Sequence, residues 1–411
     1  MKRGFLKSNK VEKEPLYPGP NSSAPQGPEK YEVLKLAYGR VENTALPENY
    51  KPAKFNPIEL DPTRASQPDN MLIVTTIPKQ YLGEPPEADG HSECIMHGPT
   101  KAKILNAPGY PAPVPKPSGR WAYEIKETKA TGLGVFAKRD IALGELIFAE
   151  RPLLVSPKNI ARAIGSVPSE YDMPTMQVVI MHEWEKQLEF AHSRMTPENQ
   201  EAFKALMNNH KEDGSGPLLG ICRTNAYGVK ELYDGDERND ATSYSAVLKI
   251  GSRINHSCMP NVNHSFSIPS FSFQFYARVD IKAGEQLYFP YCGIDQSRAE
   301  RHAELAPYGI VCDCPACSHA TPDTDKLRKE YRNRVKDYTL KISQWVMGSG
   351  MVAESKIDEV LKFRNALQKE GLDITSDYRA IVLMIQLFYE KLGLEEKARP
   401  FKEEYVRYKL K

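Results

Sequence analysis

Hydrophobic and polar positions follow two different periods along the chain. Short stretches with alternating apolar and polar residues, bounded by glycine-containing turns, are typical of β-strands. They predict strands over residues 123–125, 133–137, 144–150, 270–279 and 286–289. After Cys317 the spacing becomes that of helices, and the apolar residues form a continuous stripe that includes Ile381, Met384, Ile385 and Phe388.

A helical insertion is predicted within the β-rich part, between about residues 156 and 218. Thr196 followed by Pro197 is a typical helix start, with threonine as the cap and proline in the first turn. In the predicted helix Phe203, Leu206 and Met207 share one face, and Gly214 ends it.

The first 120 residues contain more than half of the 32 prolines, which favours extended backbone. Within this predicted N-terminal arm, residues 71–78 are apolar and β-branched enough for a strand or a docked segment. Residues 91–97, with two histidines and one cysteine, are predicted to be a surface loop rather than a metal site. The expected order is an arm (1–120), a β-rich body (121–318) and a helical tail (319–411).

Composition excludes several classes of protein. The net charge is +2 and charges of both signs are interspersed, so specific nucleic-acid binding is not expected. The sequence holds no apolar run long enough for a bilayer span and no apolar segment after its basic N-terminus. Seven cysteines in such a chain favour reduced thiols or metal ligands, and hence the cytosol or the nucleus. We expect a monomer that does not bind membranes.

Three cysteines stand close together in a C-x-C-x-x-C pattern, at positions 312, 314 and 317. Zinc in structural sites takes four ligands in a tetrahedron, so a fourth ligand must come from elsewhere. The candidate is Cys258, in the segment Asn-His-Ser-Cys-Met-Pro-Asn (255–261). The alternative is free thiols on a loop, but packing alone does not explain three cysteines within six residues.

Four motifs occur in the order of a SET domain followed by its post-SET zinc motif. They are Gly-Leu-Gly-Val-Phe-Ala (132–137), the 255–261 segment, Gly-Glu-Gln-Leu-Tyr-Phe-Pro-Tyr (284–291) and the cysteines of 312–317. The sequence resembles this family over residues 121–318, and most of all its SET- and MYND-domain branch. The resemblance implies an α+β fold: a pseudoknotted, β-clip-type SET core with a helical insertion, a post-SET zinc site (308–318) and a helical C-terminal domain.

The resemblance also implies the site residues. S-adenosylmethionine would be the cofactor, structural Zn²⁺ would bind Cys258, Cys312, Cys314 and Cys317, and Tyr291 and Tyr308 would be catalytic residues beside the substrate lysine. The cofactor-binding residues would be Gly132, Leu133, Gly134, Asn225, Asn255, His256, Tyr291 and Ile310. Asn225 would lie on a strand that lines the site, and Cys292 would be a packing residue.

Two departures from that branch affect the expected function. Residues 151–221 contain no cysteine, so the MYND zinc finger is absent from the sequence. Ile310 occupies a position where relatives commonly place an aromatic residue against adenine. The expected activity is transfer of a methyl group to a protein lysine, with histone, ribosomal and translation-factor lysines all open as substrates. The alternative is a catalytically weak or inactive zinc-stabilised interaction protein.

Overall fold

The computed structural model describes residues 45–51, 72–79, 87–119, 121–129, 131–159, 171–239 and 242–409. Much of the predicted N-terminal arm, residues 1–44 and 52–71 included, lies outside these ranges. The domain boundaries expected from the sequence therefore stay a prediction.

Within the described ranges, the β-rich part consists of short strands in four small sheets. One sheet has the order β1-β2-β6-β8-β7, a second has the order β10-β11-β5, and the pairs β3–β4 and β9–β12 form the other two. The β9–β12 pair is parallel and places Asn255 opposite Tyr288. The strands are β1 (Leu72–Ile77), β2 (Ser92–His97), β3 (Tyr123–Glu127), β4 (Leu133–Ala137), β5 (Leu146–Glu150), β6 (Leu154–Pro157), β7 (Tyr227–Tyr233), β8 (Ser243–Val247), β9 (Asn255–His256), β10 (Val262–Ser267), β11 (Ser272–Ala277) and β12 (Tyr288–Phe289).

The strand predicted over residues 270–279 is confirmed as β11. Phe273 and Phe275 point into the core, and Phe275 stacks on Phe148 of β5 with ring centroids 4.6 Å apart. Alternating aromatic residues thus form the contact between strands that are far apart in sequence. The same core reaches Cys258, Tyr291 and Tyr308, so it supports the functional residues directly.

The prediction of a surface loop over residues 91–97 is wrong, because Ser92–His97 forms β2 and all six residues are buried. Its charged residue is paired: the Glu93 carboxylate accepts hydrogen bonds from Thr76 (2.8 Å) and from Arg194 (2.9 Å). A buried carboxylate is tolerated when it is paired and hydrogen-bonded in this way. The apolar segment of the arm forms β1, which pairs with β2, so both strands belong to the sheet of β6, β7 and β8.

The described part of the predicted helical insertion contains three helices, and residues 160–170 of it lie outside the described ranges. A short helix, α1 (Gly98–Leu105), precedes the insertion, and the three helices are α2 (Met173–Ser193), α3 (Pro197–Lys204) and α4 (Pro217–Asn225). Thr196 caps α3 as predicted, since its hydroxyl accepts from the Asn199 backbone N–H. The helix ends at Lys204 and not at Gly214, although Leu206 beyond that end is buried in the same hydrophobic cluster as Phe203.

The C-terminal part is helical, as predicted. After α5 (Arg298–Leu305) and the short α6 (Pro315–Ser318) come α7 (Pro322–Met347), α8 (Asp358–Lys369), α9 (Ser376–Lys391) and α10 (Glu395–Lys409). Helices α7 to α10 form a separate hydrophobic core that contains Ile381, Ile385 and Phe388 of the predicted stripe. The predicted α+β organisation is thus confirmed. No helix within the described ranges is both long and apolar enough to cross a bilayer.

Candidate cofactor pocket and cysteine cluster

Four cysteine sulfurs from two distant segments meet in the core. The potential ligand atoms of Cys258, Cys312, Cys314 and Cys317 all lie within 4.8 Å of one another. The sulfur of Cys258 is 3.5 Å from that of Cys317 and 4.0 Å from that of Cys312. These distances exclude a disulfide, whose sulfurs are ~2.05 Å apart. They agree with a tetrahedral tetrathiolate metal site, where Zn–S bonds of ~2.3 Å place sulfurs ~3.8 Å apart.

The close sulfurs perturb one another's acidity. A hydrogen bond with Cys292 raises the pKa of the Cys258 thiol, and further hydrogen bonds with the other cluster thiols act in the same direction. A hydrogen bond with Cys258 lowers the pKa of Cys317. Four thiolates in one buried place would repel, and a divalent cation would offset that repulsion. The donor set therefore fits a metal ion.

A second group of possible ligands, His256, Cys258 and Cys292, shares one sulfur with the first. The Tyr291 backbone N–H donates to Nδ1 of His256 over 2.9 Å, so Nδ1 carries no hydrogen. Nε2 then carries the hydrogen and faces the Cys258 sulfur at 3.4 Å. Neither ring nitrogen is arranged as a ligand, which favours the four-cysteine set and leaves Cys292 as a neighbour.

A cavity of about 960 Å³ opens next to the cluster. Of the nine residues that the sequence analysis assigned to cofactor binding or catalysis, all except Gly134 line it: Gly132, Leu133, Asn225, Asn255, His256, Tyr291, Tyr308 and Ile310. These residues come from five separate segments. The fold therefore brings the predicted set to one concave surface.

The turn before β4 approaches the cavity closely at its two glycines. Gly132 has a φ of +67°, a conformation that side chains disfavour. Gly134 lies beneath the Asn255 side chain, where an added Cβ would come within 3.1 Å of the Asn255 amide nitrogen and 2.4 Å of Nε2 of Gln286. That amide donates to the Leu133 carbonyl over 3.2 Å. Gly134 thus acts through close packing and does not itself line the cavity.

Two aromatic side chains form an inner wall of the cavity. The rings of Tyr291 and Tyr308 lie 5.6 Å apart at 55°, and both residues are buried. The Tyr291 hydroxyl donates to the Ile254 carbonyl over 2.6 Å, which fixes its direction. The Tyr308 carbonyl accepts a hydrogen bond from the Asn209 side chain of the insertion.

The insertion supplies lining residues that the sequence analysis missed. Met207 was expected to share one helix face with Phe203 and Leu206, but Met207 is 54% exposed and lines the cavity, whereas the other two residues are buried. Because α3 ends at Lys204, helical periodicity does not apply to Met207. Asn225 is also placed differently, since it is the last residue of α4 and not part of a strand. Its amide donates to the carbonyl of Met207 over 2.6 Å and to that of Ile221 over 2.8 Å.

A buried polar network holds the insertion loop that carries Asn208 and Asn209. Within the loop, the Asp213 carboxylate contacts Nδ1 of His210 at 2.7 Å and accepts a hydrogen bond from Arg223 of α4. Burial raises the pKa of Asp213, but the hydrogen bond with His210 and the charge of Arg223 outweigh it and hold the pKa below its usual value. The carboxylate is therefore a stabilising group in its ionised form.

We expect Asp213→Asn to lower the free energy of unfolding by about 3 kcal/mol at neutral pH, because it removes the buried carboxylate that forms an ion pair with Arg223. The folded-state pKa is depressed, so this contribution is present above the unfolded value of ~3.9 and is lost as pH falls through the folded value. Urea unfolding of both proteins between pH 7 and pH 3 checks this. A constant difference across that range, or one below 1 kcal/mol at pH 7, would contradict it.

Residues 132–292 match the SET domain family. The core, the pocket and the match together identify residues 132–292 as a SET domain. The chain has sequence homology to histone-lysine methyltransferases and to SET- and MYND-domain proteins, as the motifs indicated.

Two relatives illustrate this similarity. The chain is 31% identical over 197 residues to the histone-lysine N-methyltransferase set5 of Schizosaccharomyces pombe, a match that covers 48% of this chain and 50% of that protein. It is 39% identical over 77 residues to the human protein-lysine N-trimethyltransferase SMYD5, covering 18% of each. The aligned region thus spans half or less of the length of these two relatives. Among solved structures, the Neurospora histone lysine methyltransferase DIM-5 matches 41% of this chain and 52% of that chain at 14% identity, with a TM-score of 0.23.

Proposed function

We propose that this protein transfers a methyl group from S-adenosylmethionine to a protein lysine side chain. The observation that carries the proposal is one cavity to which five separate segments contribute predicted cofactor and catalytic residues, four of those segments within the SET-domain match. The names of the two relatives above, both lysine methyltransferases, support the same reaction class. The cavity volume is also in the range of small-molecule sites, ~300–1,000 Å³.

Zinc is the metal that we propose for the cysteine cluster. Four thiolates suit Zn²⁺ among the common divalent ions, and they leave no open position for water, so the ion would be structural. It would tie the segment that carries Asn255 and His256 to the post-SET loop that follows Tyr308. Because Nε2 of His256 faces the Cys258 sulfur, the metal site and the cofactor pocket would share one wall.

Within the pocket, we infer that residues 132–134, Asn255 and His256 hold the cofactor, and that Asn225 and Ile310 complete its walls. The bound cofactor supplies an electrophilic sulfonium methyl group. Met207 and Ile310 both line the cavity, and their apolar side chains would provide the contact that an aromatic residue makes in relatives. Such positioning residues accelerate a transfer mainly by holding the reacting atoms in line.

The incoming lysine must be neutral to attack, although its reference pKa is ~10.4. The rings of Tyr291 and Tyr308 form a buried wall that would remove water from the ammonium group and so lower its pKa. Aromatic faces also accommodate a methylated, cationic product. The Tyr291 hydroxyl, directed by the Ile254 carbonyl, would orient the amine or stabilise charge near the sulfur.

The proposed substrate is a folded or flexible protein segment that presents a lysine. Histone lysines are one candidate class, because the fission-yeast relative is named for that activity, and ribosomal and translation-factor lysines are others. We infer action in the nucleus or the cytosol, in keeping with reduced cysteines.

Calorimetric titration of the zinc-loaded full chain with S-adenosylmethionine tests the proposal. We expect saturable one-to-one binding that weakens at least tenfold in Asn255→Ala, because the Asn255 amide organises the turn at Leu133. Asn263→Ala is the matched control, because it makes the same substitution on β10, the next strand along the chain, at a residue that does not line the cavity. No binding at millimolar cofactor would contradict the proposal and favour a zinc-stabilised interaction protein.

A further inference from the structure

Helix α5 carries a fully buried arginine against the cysteine cluster. The accessible surface of Arg301 is 0%. A guanidinium stays charged under all relevant conditions, and a buried charge is costly unless it is paired. A negatively charged group should therefore lie close to the Arg301 guanidinium.

The contacts of Arg301 lead to the cluster. Its Nη2 donates to the Cys317 sulfur over 3.4 Å and to the Ala316 carbonyl over 2.9 Å, while Nη1 donates to the Gln296 carbonyl over 2.6 Å. Within the described ranges, the one carboxylate in ion-pair reach is that of Asp325 at 4.0 Å. Nε has no hydrogen-bond partner among the described residues. None of the carboxylates in the described part of the chain therefore pairs closely with this guanidinium.

The neighbouring residue on the same helix contacts the other end of the metal-binding loop. Nε2 of His302 lies 3.2 Å from the Cys312 carbonyl. The Asp325 carboxylate accepts a hydrogen bond from the Arg298 backbone N–H over 2.8 Å, at the start of α5. Helix α5 is thus fixed to the first turn of α7 on one side and to the C-x-C-x-x-C loop on the other.

We propose that Arg301 is the counter-cation of the cysteine cluster and a determinant of its metal affinity. Four thiolates around one divalent ion carry a net charge of −2, and a buried centre of that charge needs a nearby cation. The N–H donated to the Cys317 sulfur both offsets this charge and sets the direction of the ligand. Groups that orient metal ligands in this way typically change metal affinity 10–100-fold when they are removed.

The inference rests on the proposed zinc site but not on the proposed methyl transfer. Arg301 acts through the ligands, so it is a positioning residue and not a catalytic one. An alternative role is purely mechanical, since the same arginine also joins α5 to backbone carbonyls. A mechanical role predicts lower folding stability with unchanged metal affinity, whereas a counter-cation changes the affinity of the folded protein.

The test compares full-length Arg301→Met and Arg301→Lys with the wild type. Methionine keeps much of the side-chain length without charge, and lysine keeps the charge but cannot donate to two acceptors with the same planar geometry. Arg298→Met is the matched control, because Arg298 lies on the same helix and is exposed. Each protein is loaded with Zn²⁺, and the zinc dissociation constant is measured by competition with a chromophoric chelator. Circular dichroism and the absorption of the Co²⁺-substituted forms report folding and thiolate ligation.

We expect the zinc dissociation constant to rise about 10–100-fold in Arg301→Met and to stay unchanged in Arg298→Met. It should rise about three- to tenfold in Arg301→Lys, which keeps the charge but loses the planar donor to the Cys317 sulfur. If Arg301→Met does not fold, the folded Arg301→Lys variant decides the question. Wild-type zinc affinity in the folded Arg301 variants would overturn the inference. If the wild-type protein binds no zinc, the proposed zinc site itself is wrong. This result differs from unchanged zinc affinity in the Arg301 variants, which would overturn only the role of Arg301. Loss of methyl transfer alone would contradict neither the zinc site nor the role of Arg301 in zinc affinity.

Discussion

Replacing Cys258 with serine is expected to lower the free energy of unfolding by about 4–5 kcal/mol or more, as much as replacing Cys314. Both changes remove one thiolate from the same ion, and a structural zinc contributes roughly 10–16 kcal/mol of apparent binding free energy. The two residues are 56 positions apart and differ in burial, so packing alone would not make their effects equal. Zinc content and urea unfolding of each purified variant check the prediction.

Cys292→Ser is the matched control for this experiment. Its thiol is buried beside the cluster, within reach of Cys258 and His256, but it does not belong to the four-sulfur set. We expect this variant to keep one zinc per chain and to lose far less stability. Zinc loss in Cys292→Ser together with zinc retention in Cys314→Ser would contradict the four-cysteine assignment.

The second large effect concerns the hydroxyl in the inner wall of the pocket. We expect Tyr291→Phe to reduce the rate of methyl transfer roughly 100-fold, since one oriented hydrogen-bonding group at a reacting centre contributes on that order. The affinity for S-adenosylmethionine should stay within about threefold, because the ring and its packing against Tyr308 and His256 remain. Single-turnover rates at saturating cofactor, with binding measured separately, distinguish the two quantities.

Tyr276→Phe removes a hydroxyl of the same kind at a distance from the cavity. The Tyr276 hydroxyl donates to the Gln274 side chain over 2.6 Å on β11. This control should leave both rate and affinity unchanged. An equal fall in rate in the two variants, or an unchanged rate in Tyr291→Phe, would remove the Tyr291 hydroxyl from the mechanism.

Local patterns were sufficient where a residue's role depends on its own segment. The alternating aromatics of β11, the capping threonine of α3 and the apolar stripe of α9 each appear in the sequence as a period or a short motif. The ordered motifs of residues 132–137, 255–261, 284–291 and 312–317 also indicated which distant segments meet, since their order is typical of one family.

Where a residue's environment depends on distant segments, the patterns failed. The sequence of β2 contains Ser92, Glu93 and His97 and reads as a polar loop, but Arg194 pairs with Glu93 and the Tyr244 hydroxyl accepts a hydrogen bond from the His97 backbone N–H. Both partners lie about 100 residues or more further along the chain. The local spacing of apolar and polar residues does not reveal that distant residues will pair with the polar groups of a buried strand.

The lining supplied by the insertion was missed for a similar reason. Met207 was assigned to one helix face with Phe203 and Leu206 because the end of α3 was placed ten residues too late, at Gly214 instead of Lys204. After Lys204 the chain forms a loop in which His210, Asp213 and Arg223 make a buried polar network. Contacts of this kind form between segments that meet only after folding, so no local period in the sequence reveals them.

Incubation of the zinc-loaded protein with methyl-labelled S-adenosylmethionine and a cell lysate, followed by mass-spectrometric mapping, tests the central claim most directly. We predict label on the ε-nitrogen of lysine in one protein or a few proteins. At early times the labelling should be strongly reduced with Tyr291→Phe and unchanged with Tyr276→Phe. Cofactor binding without any labelled lysine, or equal labelling by the wild type and Tyr291→Phe, would contradict the account.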